Sequence, residues 1–187
     1  MAKTELPTPE ELRKLLRYEP DTGKLFWRER TPDMFEDGKQ SADTACRQWN
    51  TRRAGKEAFT TDSGTGYRQG RIFTRAYLAH RVIWAMAHNE WPEEQIDHIN
   101  GVRDDNRIEN LRSVSNSENS KNQKLSSANT SGHMGVYWLP KTRKWLAQIK
   151  VNGRGLHLGH YTEKDDAVAA RKAAEAKYGF HENHGRG

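Results

Sequence analysis

Apolar residues fall in short, separated clusters along the chain, and their spacing predicts a series of small elements. Leu12, Leu15 and Leu16 follow Thr8-Pro9-Glu10-Glu11. There Thr8 can cap a helix, Pro9 fits its first position and Glu11 completes a capping box. A short helix burying those leucines is expected to stop near Pro20. Asp21-Thr22-Gly23 then predicts a turn into a strand from Lys24 to Arg28. Residues 31–66 are rich in Gly, Asp, Thr and Ser with little periodicity, which predicts loops and short strands. Tyr67 to Phe73 and Ala76 to Leu78 predict a hairpin leading into a helix that contains His80 to His88. Trp27 and Trp49 read as packing anchors.

The polar stretch Gln123 to Gly132 reads as a linker. Beyond it, Gly135 to Leu139, Lys144 to Val151 and Leu156 to Tyr161 read as three strands, the last two joined by Asn152-Gly153. Both turn residues tolerate the positive φ of a type I′ hairpin. Thr162, with Asp165 three positions on, is expected to cap a helix running to Tyr178 and ended by Gly179. Ala167, Ala170 and Ala174 share one face of it, small enough to lie close on a sheet. Period-two alternation turns Trp145, Ala147 and Ile149 toward that helix and leaves Lys144, Gln148 and Lys150 outward. Trp138 and Trp145 read as core aromatics, and no internal repeat is found.

Composition narrows the class. Only 34% of the 187 residues are apolar and 30% are charged, and the longest apolar run is Val82 to Ala87, which excludes a spanning helix. The amino terminus has no secretory stretch, and the single Cys46 can form neither an internal disulfide nor a cysteine-rich zinc site, so a cytoplasmic setting is expected. The net charge of +6 is divided as +3 over residues 1–79, −3 over 80–122 and +6 over 123–187. A basic end suits a polyanion, and an acidic middle suits divalent cations. A merely solvated basic surface stays open on charge alone.

The candidate chemistry lies in residues 97–122, DHINGVRDDNRIENLRSVSNSENSKN. Asp97-His98 sets a carboxylate beside an imidazole, and Asn100-Gly101 reads as the turn that sends the chain back. Ser115 with Glu118 forms a second capping box, starting a helix at about Asn116. Asn116, Asn119 and Asn122 recur every three residues, which fits either a used helix face or a polar, solvent-facing helix start. His80 and His88 read as packing or hydrogen-bonding residues, and Asp104 and Asp105 as a solvated turn.

This segment resembles the HNH nuclease motif, in which a hairpin and a helix clasp one divalent metal over the scissile phosphate. Asp97-His98, Asn110-Leu111-Arg112 and Asn119 carry the resemblance, and Ala79-His80-Arg81 with Asp97-His98-Ile99-Asn100-Gly101 resembles the phage-type branch. The resemblance implies a catalytic set of Asp97, His98, Asn110 and Asn119. In it Asp97 and Asn119 are oxygen ligands to Mg²⁺ or Mn²⁺, His98 is general base, and the Asn110 amide braces the loop. Asn119 stands where some members carry a histidine, which points away from a metal held by several imidazoles. Adjacent strand residues face opposite sides, so Asp97 and His98 converge only at an irregular strand end.

Gly135 to Phe180 resembles the plant ethylene-response-factor, or apetala-two, DNA-binding domain through Gly135-Val136, residues 144–149 (KWLAQI), Leu158-Gly159-His160-Tyr161 and the alanine-rich helix. In that family the sheet enters the major groove. The resemblance implies a DNA surface of Tyr137, Arg143, Lys144, Gln148, Lys150, Arg154 and His157. The expected fold is α+β: an amino-terminal accessory segment (1–79), a ββα-metal HNH core (80–122), a linker (123–132) and a three-stranded antiparallel sheet on one helix (133–187). The expected activity is that of a phage-type homing endonuclease acting on double-stranded DNA, with no protein partner and no membrane. A DNA-binding regulator on a degenerate nuclease scaffold, and an RNA-directed factor, are the rival classes.

Overall fold

The computed structural model describes residues 5–115, 118–119, 121–122, 125–126, 128–181 and 184–185. It divides into two compact units, one up to Ser113 and one from Val114. The fold is α+β, with small antiparallel sheets in both.

In the first unit α1 (Pro9–Leu15) begins as expected: Thr8 Oγ1 accepts the Glu11 N–H at 3.2 Å and Glu11 Oε2 accepts the Thr8 N–H at 2.7 Å. The helix ends one residue short of the leucine run, and Leu16 opens strand β1 (Leu16–Glu19). It stays wholly buried, because the strand starts against the same core. Strand β2 (Lys24–Trp27) pairs antiparallel with β1 and with β3 (Glu57–Ala58). Strand β4 (Thr61–Asp62), β5 (Arg68–Ile72) and β6 (Arg75–Leu78) form a second sheet. Helix α3 (Ala79–His88) then buries Val82, Ile83 and Ala85 against Leu12, Leu16, Leu25 and Ile72. Each such large apolar side chain taken from water contributes roughly 1.5–3 kcal/mol.

One element corrects the expectation for residues 31–66. Helix α2 (Ala42–Arg53) spans 12 residues there, with the Ser41 hydroxyl accepting the Thr44 N–H at 3.4 Å. Cys46 is its one fully buried residue, so no apolar stripe marks it in the sequence.

Strands β7 (Gln95–His98) and β8 (Leu111–Val114) pair as a two-stranded sheet, and the loop between them carries the candidate chemistry. Its register to the rest of the first unit is fixed by the amino-terminal hairpin. Tyr18 Oη donates to the Asn106 carbonyl at 3.2 Å and accepts the Ile108 N–H at 2.9 Å. Gly23, at φ +69°, lies so close that a Cβ there would sit 2.6 Å from the Arg107 nitrogen and 2.7 Å from the Asn106 carbonyl carbon.

In the second unit β9 (Val136–Leu139), β10 (Lys144–Val151) and β11 (Arg154–Tyr161) form an antiparallel sheet in the order β11-β10-β9. Asn152 and Gly153 both take positive φ, 49° and 80°, as a type I′ turn requires. Helix α4 (Lys164–Lys177) packs Ala167 on Val136 and Ala147, and Ala174 is also buried. The expected Thr162 cap is not made: the helix starts at Lys164, with Glu163 at the cap position and no side-chain bond. Ala147 and Ile149 are buried as the alternation requires. Trp138 departs from the expected core placement, being 44% exposed with its ring centroid 5.2 Å from that of Trp145 and tilted 57° to it.

Candidate functional site

Residues 95–98 alternate in burial, with Ile96 and His98 inward and Asp97 half-buried on the other side. His98 is the last residue of β7, and a tight turn follows in which the Gly101 N–H donates to its carbonyl at 2.8 Å. The side chain is 2% exposed, and its Nε2 lies 3.0 Å from Asn106 Oδ1. An Nε2–H donated to that amide oxygen makes Nδ1 the basic nitrogen. Burial pushes the His98 pKa down, against the opposing pull of the Asn106 hydrogen bond and the Asp97 charge.

Asp97 is held from the paired strand. Arg112 Nε and Nη2 both donate to its Oδ2, at 3.0 and 2.8 Å. Its side chain retains 10% exposure, so this is a largely desolvated, charge-assisted contact.

Asn110 is buried and closes the loop between the strands. Its Oδ1 accepts the Asn100 N–H at 2.9 Å, and its Nδ2 donates to Asn100 Oδ1 at 3.0 Å and to the Asp105 carbonyl at 2.8 Å. The backbone adds an Ile99 N–H to Asn110 carbonyl bond of 2.9 Å. Asp105 is not a solvated turn residue: it accepts Asn100 Nδ2 at 2.7 Å and both Nε and Nη2 of Arg107 at 2.8 Å. The Arg107 hydrogen bonds lead in lowering its pKa to about 2. Asp104 is exposed and pairs with Arg68 at 3.3 Å.

His80 packs beside the site on α3. Its ring centroid is 5.0 Å from Tyr67 and 5.2 Å from His98, the latter edge-on. The side chain is buried, its Nδ1 has no hydrogen-bond partner among the described residues, and burial followed by the His98 and Arg81 charges lowers its pKa to about 3. His88 stacks on Trp84 at 3.9 Å.

Asn119 belongs to the second unit. It is helical and half-buried, its N–H donating to the Ser115 carbonyl at 2.9 Å. The Ser115–Glu118 box is made, with Ser115 N–H to Glu118 Oε2 at 2.9 Å and Glu118 N–H to Ser115 Oγ at 3.3 Å. Asn122 is buried, and Asn116 lies outside the described residues. The Asp97 carboxylate in the first unit and the Asn119 amide in the second are each hard oxygen donors by residue type. Among the described residues no group of three or more His, Cys, Asp and Glu could hold a metal ion, and none of the helices is long and apolar enough to cross a membrane.

On the second unit's sheet, Lys144, Gln148 and Lys150 are exposed on one face of β10. Tyr137, 44% exposed, pairs with Leu146, and His157 with Gln148, so both share that face. A bulge at Leu158 shifts the register after Ala147 and brings the His157 and His160 rings to 4.7 Å. Arg143 lies in the turn before β10 at φ 53°. Arg154 pairs with Val151 and therefore belongs to the opposite face, at the hairpin end.

The sequence assigns no site role to Asn106 or Tyr67, and marks Arg112 only as part of the Asn110-Leu111-Arg112 string. Arg112 had a usable signal, since two paired strands of four residues place it opposite the Asp97 region. Asn106 and Tyr67 act through loop geometry, which no spacing announces.

Residues 77–121 match the model of an HNH endonuclease family. Protein 3.8 of Escherichia phage T7 is 32% identical over 83 residues, covering 44% of this chain and 69% of that protein. No solved structure matches.

Proposed function

We propose, from the premise that the chain belongs to the HNH endonuclease family, that it is a metal-dependent nuclease hydrolysing phosphodiester bonds of duplex DNA, of the homing type. The observation that carries the reading is the setting of His98: an imidazole at the end of β7, inside the HNH match, whose pKa burial lowers and whose Nε2 lies 3.0 Å from Asn106 Oδ1, a neutral ring held in one orientation as a general base requires. Asp97 would offer a carboxylate oxygen to a divalent cation, and such a cation stabilises charge on the phosphate and the departing 3′ oxygen. Asn110 and Asp105 hold the loop that carries Asn106, and so act on His98 at one remove. The outward sheet face of the second unit is the duplex-recognition surface, with Lys144, Lys150 and Arg143 at phosphates and Gln148 at a base edge. Arg154, on the opposite face at the hairpin end, is left out of that surface.

Cutting requires the site to open. His98 is almost fully covered and Arg112 occupies Asp97 Oδ2, so DNA must uncover the imidazole and draw the guanidinium away. A phosphate is the natural competitor for Arg112, because it offers the same bidentate geometry as a carboxylate. The same two observations favour the rival reading, a DNA-binding regulator on a nuclease scaffold. The test is incubation of the purified chain with supercoiled DNA and Mg²⁺ or Mn²⁺, with EDTA as control. The nuclease reading expects nicked or linear product that vanishes with EDTA and in His98→Ala, while His98→Ala still binds DNA. Binding without cutting at any metal concentration assigns the chain to the regulator class, and preference for RNA over duplex in competition removes the DNA assignment.

A further inference from the structure

A second surface of the first unit, lined by residues that precede the HNH match at 77–121, has the composition of a nucleic-acid contact. Helix α2, the strand β3 that follows it and the β5–β6 hairpin enclose a groove of about 670 Å³, lined among others by Trp49, Arg30, Arg52, Arg53, Arg71 and Phe73. Arg30 lies over the Trp49 ring at 3.9 Å, with Trp27 and Phe35 within 6 Å, and its Nε is buried with no hydrogen-bond partner among the described residues. Arg52 and Arg53 are exposed in the last turn of α2, and neither forms an ion pair among the described residues. Glu57, the acidic residue of the groove, is already paired with Lys24 at 2.9 Å. The groove therefore presents uncompensated positive charge against aromatic faces.

Phe73 sharpens the case. Ile72 pairs with Arg75, so Phe73 and Thr74 form a two-residue hairpin turn, and Phe73 takes φ 53°. Glycine or asparagine fits such a position without strain, whereas a bulky L-residue there is an outlier. The ring is 69% exposed, so burial does not offset the strain. Folding alone gives no reason for phenylalanine at this tip, and strained, exposed groups of this kind collect where a ligand is met.

We infer that the α2 groove and the Phe73 hairpin tip form a second DNA-contacting surface, in which the arginines hold backbone phosphates and Phe73 stacks on, or wedges beside, a base. Guanidinium groups suit phosphate oxygens, and an exposed apolar ring at a basic tip is the device by which proteins unstack a base step. The inference rests on the nuclease reading for its choice of DNA as occupant. It gives the amino-terminal segment a role in holding the duplex on which the motif acts.

The test measures binding of the full chain to labelled duplex DNA in EDTA, so that no cutting intervenes, over a series of salt concentrations. Arg52→Gln with Arg53→Gln should weaken binding and reduce the slope of log affinity against log salt by about 2, each arginine accounting for one released counterion. Phe73→Gly should lower affinity by about fivefold or more while melting at or above the wild-type temperature, since it removes a stacking ring and relieves the turn. Variants that bind with wild-type affinity and slope, beside a wild type that binds and cuts, overturn this surface and leave the nuclease reading intact. A wild type that neither binds nor cuts duplex DNA overturns both.

Discussion

His80 gives the sharpest quantitative consequence of the site. Buried on α3 between Tyr67 and His98, it is held neutral, with its pKa lowered from 6.5 to about 3. The unfolded chain protonates this imidazole near 6.5, while the folded chain does not until far lower pH. Stability due to His80 is therefore fully present above about pH 6.5 and declines as pH falls toward 3, by about 1.4 kcal/mol per pH unit. Between pH 6.5 and 5 the loss is about 2 kcal/mol. His98, whose pKa is also lowered, adds loss of the same sign. His80→Phe keeps a ring against Tyr67 and His98 but cannot titrate. Unfolding free energies of wild type and His80→Phe, measured in urea at pH 7.5 and pH 5, should converge or cross by about 2 kcal/mol in the variant's favour at the lower pH. Most carboxylates remain ionised at pH 5, so the window isolates the imidazoles. Parallel loss in the two proteins would show that His80 is protonated in the folded state, and the neutral cluster beside His98 would go with it.

Three further outcomes follow from the loop. Gly23→Ala drives a methyl to 2.6 Å from the Arg107 nitrogen at φ +69°, so thermal unfolding should show a loss of about 2 kcal/mol or more, together with reduced cutting as Asn106 shifts from His98. Asn110→Ala removes three hydrogen bonds at a buried position, expected to cost roughly 2–4 kcal/mol in urea unfolding. Residual cutting in the folded fraction should exceed that of His98→Ala, and equal loss would place Asn110 in the chemistry itself. Arg112→Gln removes the cation bound to Asp97, so Mn²⁺ titration by calorimetry should show tighter binding, with stability lower by about 1–3 kcal/mol. Weaker Mn²⁺ binding in that variant would remove Asp97 from the ligand set.

What the sequence revealed depended on whether the cause was local. Thr8 with Glu11, Ser115 with Glu118 and Asn152-Gly153 act within four residues of themselves, and each forms the cap or turn its chemistry dictates. Alternation along β10 placed Ala147 and Ile149 inward for the same reason. Helix α2 escaped because it buries little beyond Cys46, and a helix without an apolar stripe leaves only its cap to be read. Trp138 was misplaced because strand parity gives the face and not how far the covering helix extends. The site divides along the same line. Asp97, His98 and Asn110 stand out by residue type and spacing, yet what each one does is decided by Arg112, Asn106 and Asn100, partners supplied by strand pairing and by a loop folded on itself. That loop is in turn seated on Tyr18 and Gly23, some 90 residues earlier in the first instance. Alignment of His98 is thus a property of the whole first unit. Substitutions at Tyr18 or Gly23 should change cutting through Asn106 without touching DNA, whereas substitutions at Phe73 or Arg52 should change binding and leave His98 as it is.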